Sequence, residues 1–124
     1  MTFEEGDLRA IARAEEVRIE TRAADGTVHR TIIWIVEHDG QLYVRSVNGP
    51  DARWYREATA DTSIALLVGG RRVEARVVPA TDPASIEACN AGLRAKYQGD
   101  YSLASMLKEH TLSTTLRVVP LVSA

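Results

Sequence analysis

Arginine side chains are concentrated in one short stretch of the chain. Arg45 lies near the end of a predicted strand, and Arg53 and Arg56 lie within one turn of the helix predicted to follow it. A guanidinium group binds phosphate through a planar fork of N–H donors, and the start of a helix adds free backbone N–H groups and a partial positive charge. We therefore expect the junction between Arg45 and Arg56 to bind an anion.

Neighbouring residues could complete such a site. Ser46 and Asn48 supply neutral hydrogen-bonding groups where the strand ends, and Arg30 lies at the start of the neighbouring strand. Trp54 and Tyr55 offer flat aromatic surfaces beside a site that would otherwise be only polar. Together these residue types suit a ligand that carries both a ring and a phosphate.

A simpler reading of the same helix is a solvated surface. Arg53 and Arg56 could pair with Glu57 or Asp51, as charged side chains on exposed helices commonly do. Composition alone does not separate this alternative from an anion site.

Metal and nucleophile chemistry have less support in the sequence. His29 and His38 lie at opposite ends of one predicted strand, about 30 Å apart at roughly 3.3 Å per residue, and His110 stands alone. The chain has no zinc-type Cys/His spacing, no phosphate loop and no nucleophile elbow. Cys89 falls on the apolar face of a predicted helix and is expected to be a buried structural thiol. No metal site is expected.

Hydrophobic periodicity predicts the elements that hold the junction. Asp25-Gly26, Asp39-Gly40 and Gly69-Gly70 are typical of tight hairpin turns. Alternating or continuous apolar runs between them predict strands over residues 17–22, 28–37, 41–47, 63–68, 72–78 and 114–121.

Helices are predicted at three places. Asp7 is expected to cap a helix that ends near Ala14, and Asp51 to cap one over residues 51–58. Asp82-Pro83 opens a third, whose residues 86, 89, 90, 93 and 97 share one face, and a helical turn is expected over 103–107.

These elements predict a single domain over residues 1–124. Six strands with short hairpins and peripheral helices are best closed as a barrel, because closure removes the exposed strand edges of an open sheet. An open α+β sandwich is the alternative, and periodicity alone does not distinguish the two.

Composition limits the range of functions. The net charge of -2 gives no general attraction to nucleic acid or to membrane surfaces. The longest apolar runs, residues 32–36 and 64–68, fall far short of the roughly 20 residues of a membrane-spanning helix. With one cysteine and no signal-peptide pattern at the N-terminus, the expected location is the cytoplasm.

Three segments carry a resemblance to a known family. The run from Asp39 to Arg56, the pair Lys96-Tyr97 and residues 114–120 resemble a bacterial family of unknown function within the FMN-binding split-barrel superfamily. The resemblance covers nearly the whole chain. It implies a mainly β fold with peripheral helices, a six-stranded split barrel of the flavin-nucleotide-binding type. It also implies a homodimer that binds FMN or a deazaflavin coenzyme between its subunits.

The resemblance also assigns roles to particular residues. In the superfamily a small polar residue at the end of the third strand and a basic residue in the next helix bind phosphate, and Arg45-Ser46 and Arg53 occupy those places. Arg30 is similar to the basic residue of the preceding strand, and Trp54-Tyr55 to an aromatic pair of deazaflavin-dependent nitroreductases. Nothing matches the substrate site of pyridoxamine phosphate oxidases, so vitamin B6 oxidation is not expected.

Two classes of function stay open at this point. The chain is either a flavin- or deazaflavin-dependent reductase of unknown substrate, or a non-catalytic nucleotide-binding or interaction module that retains the barrel.

Overall fold

A computed structural model describes residues 3–121 of the chain. Seven antiparallel strands form one sheet, and the helices lie around it. The strands are β1 (Val17–Arg22), β2 (Val28–Ile33), β3 (Ile35–His38), β4 (Gln41–Val44), β5 (Ser63–Val68), β6 (Arg71–Pro79) and β7 (Leu116–Pro120). The helices are α1 (Glu5–Arg13), α2 (Arg53–Ala60), α3 (Pro83–Lys96), α4 (Leu103–Met106) and α5 (Glu109–Leu112), with a 3-10 turn over Gly49–Asp51.

A single residue joins the two end strands of the sheet. Its strand order is β2-β1-β5-β6-β7-β4-β3, so β2 and β3 lie at opposite ends of the order. Only Trp34 separates them along the chain. The chain therefore runs directly from one end of the sheet to the other, which makes a split barrel and confirms the predicted fold class.

The strand count differs from the prediction for the same reason. Residues 28–37 were expected to form one strand, whereas the structure divides them at Trp34. Upstream of Trp34 the chain pairs with β1, and downstream it pairs with β4. The one predicted strand is therefore two strands with different pairing partners, which gives seven strands where six were predicted.

The predicted hairpin turns are confirmed. Asp39 and Gly40 both have positive φ, at 51° and 81°, the conformation of the mirror-image turns that match strand twist. Gly69-Gly70 joins β5 to β6, whose register pairs Val68 with Arg71. Short turns of this kind fix the register and therefore which side chains face inward.

Apolar side chains fill the barrel. Ile19, Leu66 and Ala75 are fully buried in it, and α2 adds Trp54 and Ala58. On β6, the alternate residues Val73, Ala75 and Val77 face inward. Because α2 contributes to the core, the junction that precedes it is held against the barrel.

A second cluster lies outside the barrel, beneath α3. Val36 and Tyr43 face Cys89 and Leu93 there. A Cβ on Gly92 would meet Val36 Cγ2 at 2.9 Å, so only glycine allows α3 to approach β3 this closely. The expectation for Cys89 is confirmed, since the thiol is buried and burial raises its pKa to about 11.

The predicted start of α3 at Asp82-Pro83 is confirmed, because the helix begins at Pro83. Asp82 accepts a hydrogen bond from the backbone N–H of Ser85 at 3.0 Å. The prediction for Asp7 is wrong, because α1 starts at Glu5 and Asp7 instead pairs with Arg71 at 3.0 Å. The prediction for Asp51 is also wrong, because the 3-10 turn takes up this residue and α2 starts two residues later.

Two strand ends were predicted too long. β4 stops at Val44 rather than at residue 47, and β7 starts at Leu116 rather than at residue 114. Both differences fall at the arginine-rich junction. Among residues 3–121, no helix is long and apolar enough to cross a membrane.

Candidate functional site

The barrel splits open beside the junction. The β3–β4 ladder ends with Ile35 opposite Val44. Continued, the same register would place Trp34 opposite Arg45, but here β2 turns away to pair with β1. A gap is left between the end of β2 and the segment that follows β4, and the backbone on both sides of it is outside the ladder.

Two threonines continue the β4–β7 pairing with their side chains. Thr115 Oγ1 accepts a hydrogen bond from Arg45 Nε at 2.9 Å, and Thr114 Oγ1 accepts one from the backbone N–H of Ser46 at 2.9 Å. Both threonines are fully buried. Residues 45–46 therefore stay bonded to residues 114–115 through threonine side chains, and these bonds hold the chain in place where it enters the junction.

Arg45 is the largest fully buried side chain, with 1% of its surface exposed. Its Nη1 donates to Asn90 Oδ1 at 2.7 Å and to the Met106 carbonyl at 3.2 Å, and its Nη2 donates to the Ile86 carbonyl at 3.3 Å. Within residues 3–121 no carboxylate lies at salt-bridge distance. Burial lowers the pKa of the guanidinium, although arginine stays protonated in proteins. Arg45 is thus a buried cation held by neutral acceptors, and it is not free to offer a two-pronged fork to phosphate.

A cavity of about 350 Å³ occupies the split. We name it the tryptophan pocket, after Trp34 and Trp54. It is lined by Glu16, Thr31, Ile32, Ile33, Trp34, Arg45, Val47, Asn48, Trp54, Ser102, Ser105 and Met106. Sequence reasoning missed Trp34, which stacks on Tyr97 at a ring separation of 3.8 Å. The available signal was a large aromatic residue in the middle of an apolar run.

Ser46 is enclosed beside the pocket without lining it. Only 1% of its surface is exposed, and its hydroxyl has no hydrogen-bond partner within residues 3–121. A buried hydroxyl without a partner is uncommon in folded proteins and calls for an explanation. It is the one such side-chain group in the described part of the chain.

Arg53 lies at the edge of the tryptophan pocket. Its Nη2 donates to Thr31 Oγ1 at 3.2 Å, and Thr31 lines the pocket. Half of the Arg53 side chain is exposed, and its Nε lies 3.9 Å from Glu57 Oε1. In contrast to Arg45, Arg53 has donors available to a ligand.

A second depression lies on the other side of Arg53. This arginine groove has a volume of about 480 Å³ and is lined by Arg22, Ala23, Ala24, Arg53, Arg56, Glu57, Ala60 and Asp61. Glu57 anchors it, because its Oε1 accepts a hydrogen bond from the Thr21 hydroxyl at 2.7 Å and its Oε2 lies 2.9 Å from His29 Nδ1. The structure therefore places Arg56 with Arg22, a residue that sequence reasoning did not single out.

Arg30 lies away from the junction. Its Nε donates to Glu20 Oε1 at 3.0 Å, and Arg72 binds the other oxygen of the same carboxylate at 2.7 Å. Successive residues of a strand point to opposite faces, so Arg30 faces outward while its neighbour Thr31 meets Arg53. The structure therefore does not bring Arg30 to the other predicted residues.

The predicted residues thus separate into groups. The tryptophan pocket includes Arg45, Asn48 and Trp54, and the arginine groove includes Arg53 and Arg56. Two other depressions are at least as large as the arginine groove. One, of about 620 Å³, lies beside Lys96, and the other, of about 480 Å³, lies outside β1 next to Arg18. Neither contains a residue of the junction, so neither is the candidate site.

Within residues 3–121, no three His, Cys, Asp or Glu side chains lie close enough together to hold a metal ion.

Solved structures share this fold at low sequence identity. A conserved hypothetical protein from Mycobacterium tuberculosis matches 100% of this chain and 83% of its own, with a TM-score of 0.71 and 14% identity. The heme storage protein HutZ from Vibrio cholerae matches 99% of this chain and 93% of its own, with a TM-score of 0.70 and 12% identity. A protein from Listeria innocua, proposed to be a pyridoxamine 5′-phosphate oxidase, matches 95% and 93%, with a TM-score of 0.67 and 15% identity. These likenesses establish the fold alone.

The family is established by a match in sequence. No curated protein matches the chain. A family model described as an uncharacterized protein conserved in bacteria (DUF2255) matches residues 7–118, which span the barrel, the split and both sides of the junction. The chain therefore belongs to DUF2255, a family of uncharacterized bacterial proteins.

Proposed function

We propose that the chain binds the ring of a flavin- or deazaflavin-type nucleotide in the tryptophan pocket and acts as a reductase. The observation that carries this proposal is the composition of the pocket. It combines two indole rings with a few polar groups in a volume of about 350 Å³, within the range of small-molecule sites. Such a cavity suits a flat, partly polar ring.

The polar groups of the pocket fit the edge of such a ring. Asn48 provides an amide, and Thr31, Ser102 and Ser105 provide hydroxyls. A flavin ring carries both carbonyl oxygens and N–H groups along one edge, so donors and acceptors are both required there. The lining also contains one cation, the buried Arg45, and one carboxylate, that of Glu16.

A phosphate on such a ligand would be held by Arg53. This side chain is half exposed and already touches Thr31 at the pocket wall. The unpartnered hydroxyl of Ser46 offers a further hydrogen bond if its side chain rotates towards the ligand. When bound, the ring supplies the hydride chemistry, while the residues of the chain bind it, orient it and exclude water.

Heme is the alternative ligand suggested by a structural neighbour, the heme storage protein HutZ. Among residues 3–121, no histidine lines the tryptophan pocket, and Met106 is the only lining residue of a type that commonly ligates heme iron. The pocket therefore favours a flavin-type ring. A module that binds a nucleotide without catalysis is the other alternative, since the fold alone does not imply an activity.

The first test is the colour of the purified protein and its binding of FMN, a deazaflavin coenzyme and hemin. We expect flavin-type absorption or saturable binding of FMN or the deazaflavin, followed by fluorescence quenching. A colourless protein that binds neither of them would overturn the proposal. A protein that binds one of them without accepting electrons from a nicotinamide donor would favour the non-catalytic module.

A matched pair of substitutions locates the binding. Ser105 lines the tryptophan pocket, whereas its neighbour Ala104 is exposed and does not line it. We expect Ser105→Phe to occupy part of the cavity and weaken cofactor binding by about tenfold or more, because the cofactor ring would then compete with the new side chain for the same space. Ala104→Phe should leave the affinity unchanged. Equal affinities in the two variants would place the ligand elsewhere.

A further inference from the structure

The arginine groove has room for a small ligand. Residues Arg53, Arg56, Glu57 and Ala60 are spaced along α2 so that they share one helix face, which is turned towards the β1–β2 turn. At that turn Ala23-Ala24 contributes only methyl groups. Small side chains on both walls leave the cavity of about 480 Å³, and the longer arginines surround it.

Two arginines of the groove have no acidic partner. Arg22 and Arg56 are exposed, and within residues 3–121 neither lies at salt-bridge distance from a carboxylate. Arg13, Arg18 and Arg76 are also exposed without such a partner among these residues, but none of them lines this groove. Free guanidinium groups therefore meet in this groove.

The carboxylates of the groove do not balance its arginines. Three guanidinium groups face two carboxylates, those of Glu57 and Asp61, which leaves one positive charge in excess. The Glu57 carboxylate is already bonded to Thr21 and His29. Asp61 Oδ1 accepts a backbone N–H at 3.2 Å. Within residues 3–121, neither acid lies at salt-bridge distance from Arg22 or Arg56.

We infer that the arginine groove binds a small oxyanion of the phosphate class through Arg22, Arg56 and Arg53. Guanidinium forks match the geometry of phosphate oxygens, and three of them around one cavity can surround such a group. The size of the groove fits a small molecule. The net charge of -2 on the chain argues against a polymeric anion.

The phosphate-class group could come from two sources. It belongs either to a separate anionic substrate or effector, or to the end of the cofactor whose ring lies in the tryptophan pocket. Only the second source rests on the proposed function. Arg53 lines the groove and donates to Thr31 of the tryptophan pocket, whereas Arg22 belongs to the groove alone.

The experiment titrates inorganic pyrophosphate into the parent protein at low salt, with heat as the signal. We expect saturable binding that weakens about tenfold or more in Arg22→Ala and in Arg56→Ala, since each loses a charge-assisted contact. The matched control is Arg94→Ala, an exposed arginine of α3 outside the groove, which should bind as the parent does. Absence of binding by the parent, or an equal loss in Arg94→Ala, would overturn the inference.

Titration of FMN and riboflavin into Arg22→Ala then separates the two sources. A selective loss of FMN affinity assigns the groove to the phosphate of the cofactor. Unchanged FMN affinity, together with weakened pyrophosphate binding, assigns it to a separate anion. If the parent binds pyrophosphate but no flavin, the groove stands and the proposed reductase function fails.

Discussion

Arg53 is the predicted phosphate ligand with the most freedom to act as one. Its side chain is half exposed, and its closest partner is the neutral hydroxyl of Thr31. We expect Arg53→Ala to lower FMN affinity roughly ten- to a hundredfold, the effect of losing a charge-assisted hydrogen bond. Riboflavin, which lacks the phosphate, should bind both proteins equally. Fluorescence titration of the two ligands measures the difference.

Arg94→Ala serves as the control for this comparison, because Arg94 is exposed on α3 and borders neither site. A parallel loss of riboflavin affinity in Arg53→Ala would mean that the substitution disturbs the pocket and that Arg53 does not hold the phosphate. An unchanged FMN affinity would leave Arg53 as a solvated helix residue, the simpler reading of its sequence.

Sequence reasoning identified the arginines but not their surroundings. The acceptors of Arg45 come from α3, from α4 and from Thr115 just before β7, between 41 and 70 residues further along the chain, so its burial could not be inferred locally. The position of Arg30 depends on Glu20, which is buried beneath Arg30 and Arg72. Residue types were readable from the sequence, whereas long-range partners were not.

At the scale of elements, the Glu20 carboxylate ties three strands together. Glu20 lies on β1, Arg30 on β2 and Arg72 on β6. Hydrogen bonds from Arg72, followed by those from Arg30, outweigh desolvation and hold the pKa of Glu20 below its usual value of 4.5. Strands far apart in sequence are thereby linked on the outer face of the barrel.

This link makes stability depend on pH in the acid range. Because the pKa of Glu20 is lower in the folded state than in the unfolded state, the link contributes fully above about pH 4.5 and is lost as the pH falls through the folded value. We expect Glu20→Gln to be less stable than the parent at neutral pH, with the gap narrowing below pH 4.5. Urea unfolding at several pH values measures it. A gap that stays constant from pH 7 to pH 3 would contradict the assignment.

The division of residues 28–37 shows why element boundaries escaped prediction. Ile33 and Ile35 both face the barrel core, and Val36 faces α3, so the alternation of a strand continues through Trp34 without a break. Only the pairing partner changes there. Periodicity reports which face a side chain takes and carries no information about which strand lies alongside. Turn residues, by contrast, act locally, and the predicted hairpin turns were correct.

At the scale of the whole molecule, we expect a symmetric homodimer, the assembly implied by the family resemblance. Of the apolar run 32–36, Ile33, Ile35 and Val36 are buried within the barrel or under α3. Ile32 remains 56% exposed, and Val28 and Val47 are exposed by 44% and 40%. Tyr101 and Leu121 are the other exposed large apolar side chains among residues 3–121. Ile32 and Val47 also line the tryptophan pocket.

Light scattering at micromolar concentration should give twice the monomer mass of 13.6 kDa. Ile32→Glu should shift the protein towards monomer, because an unpaired carboxylate is costly to bury in an apolar interface. The matched control is Ile32→Val, which keeps an apolar contact. A parent protein that scatters as a monomer would remove the expected site between subunits, and binding would then depend on one chain alone.

The split at Trp34 also bears on how a family of this kind can diverge. The residues that hold the sheet together lie in ladders, while Val47, Asn48, Ser102 and Ser105 line the cavity from outside them. Substitutions at these four positions disrupt no strand pairing and, being at least partly exposed, should affect folding only slightly. Mutations at these positions can therefore change which ligand is preferred without changing the barrel fold. In such a lineage, the loops beside the split are where changes of specificity should accumulate.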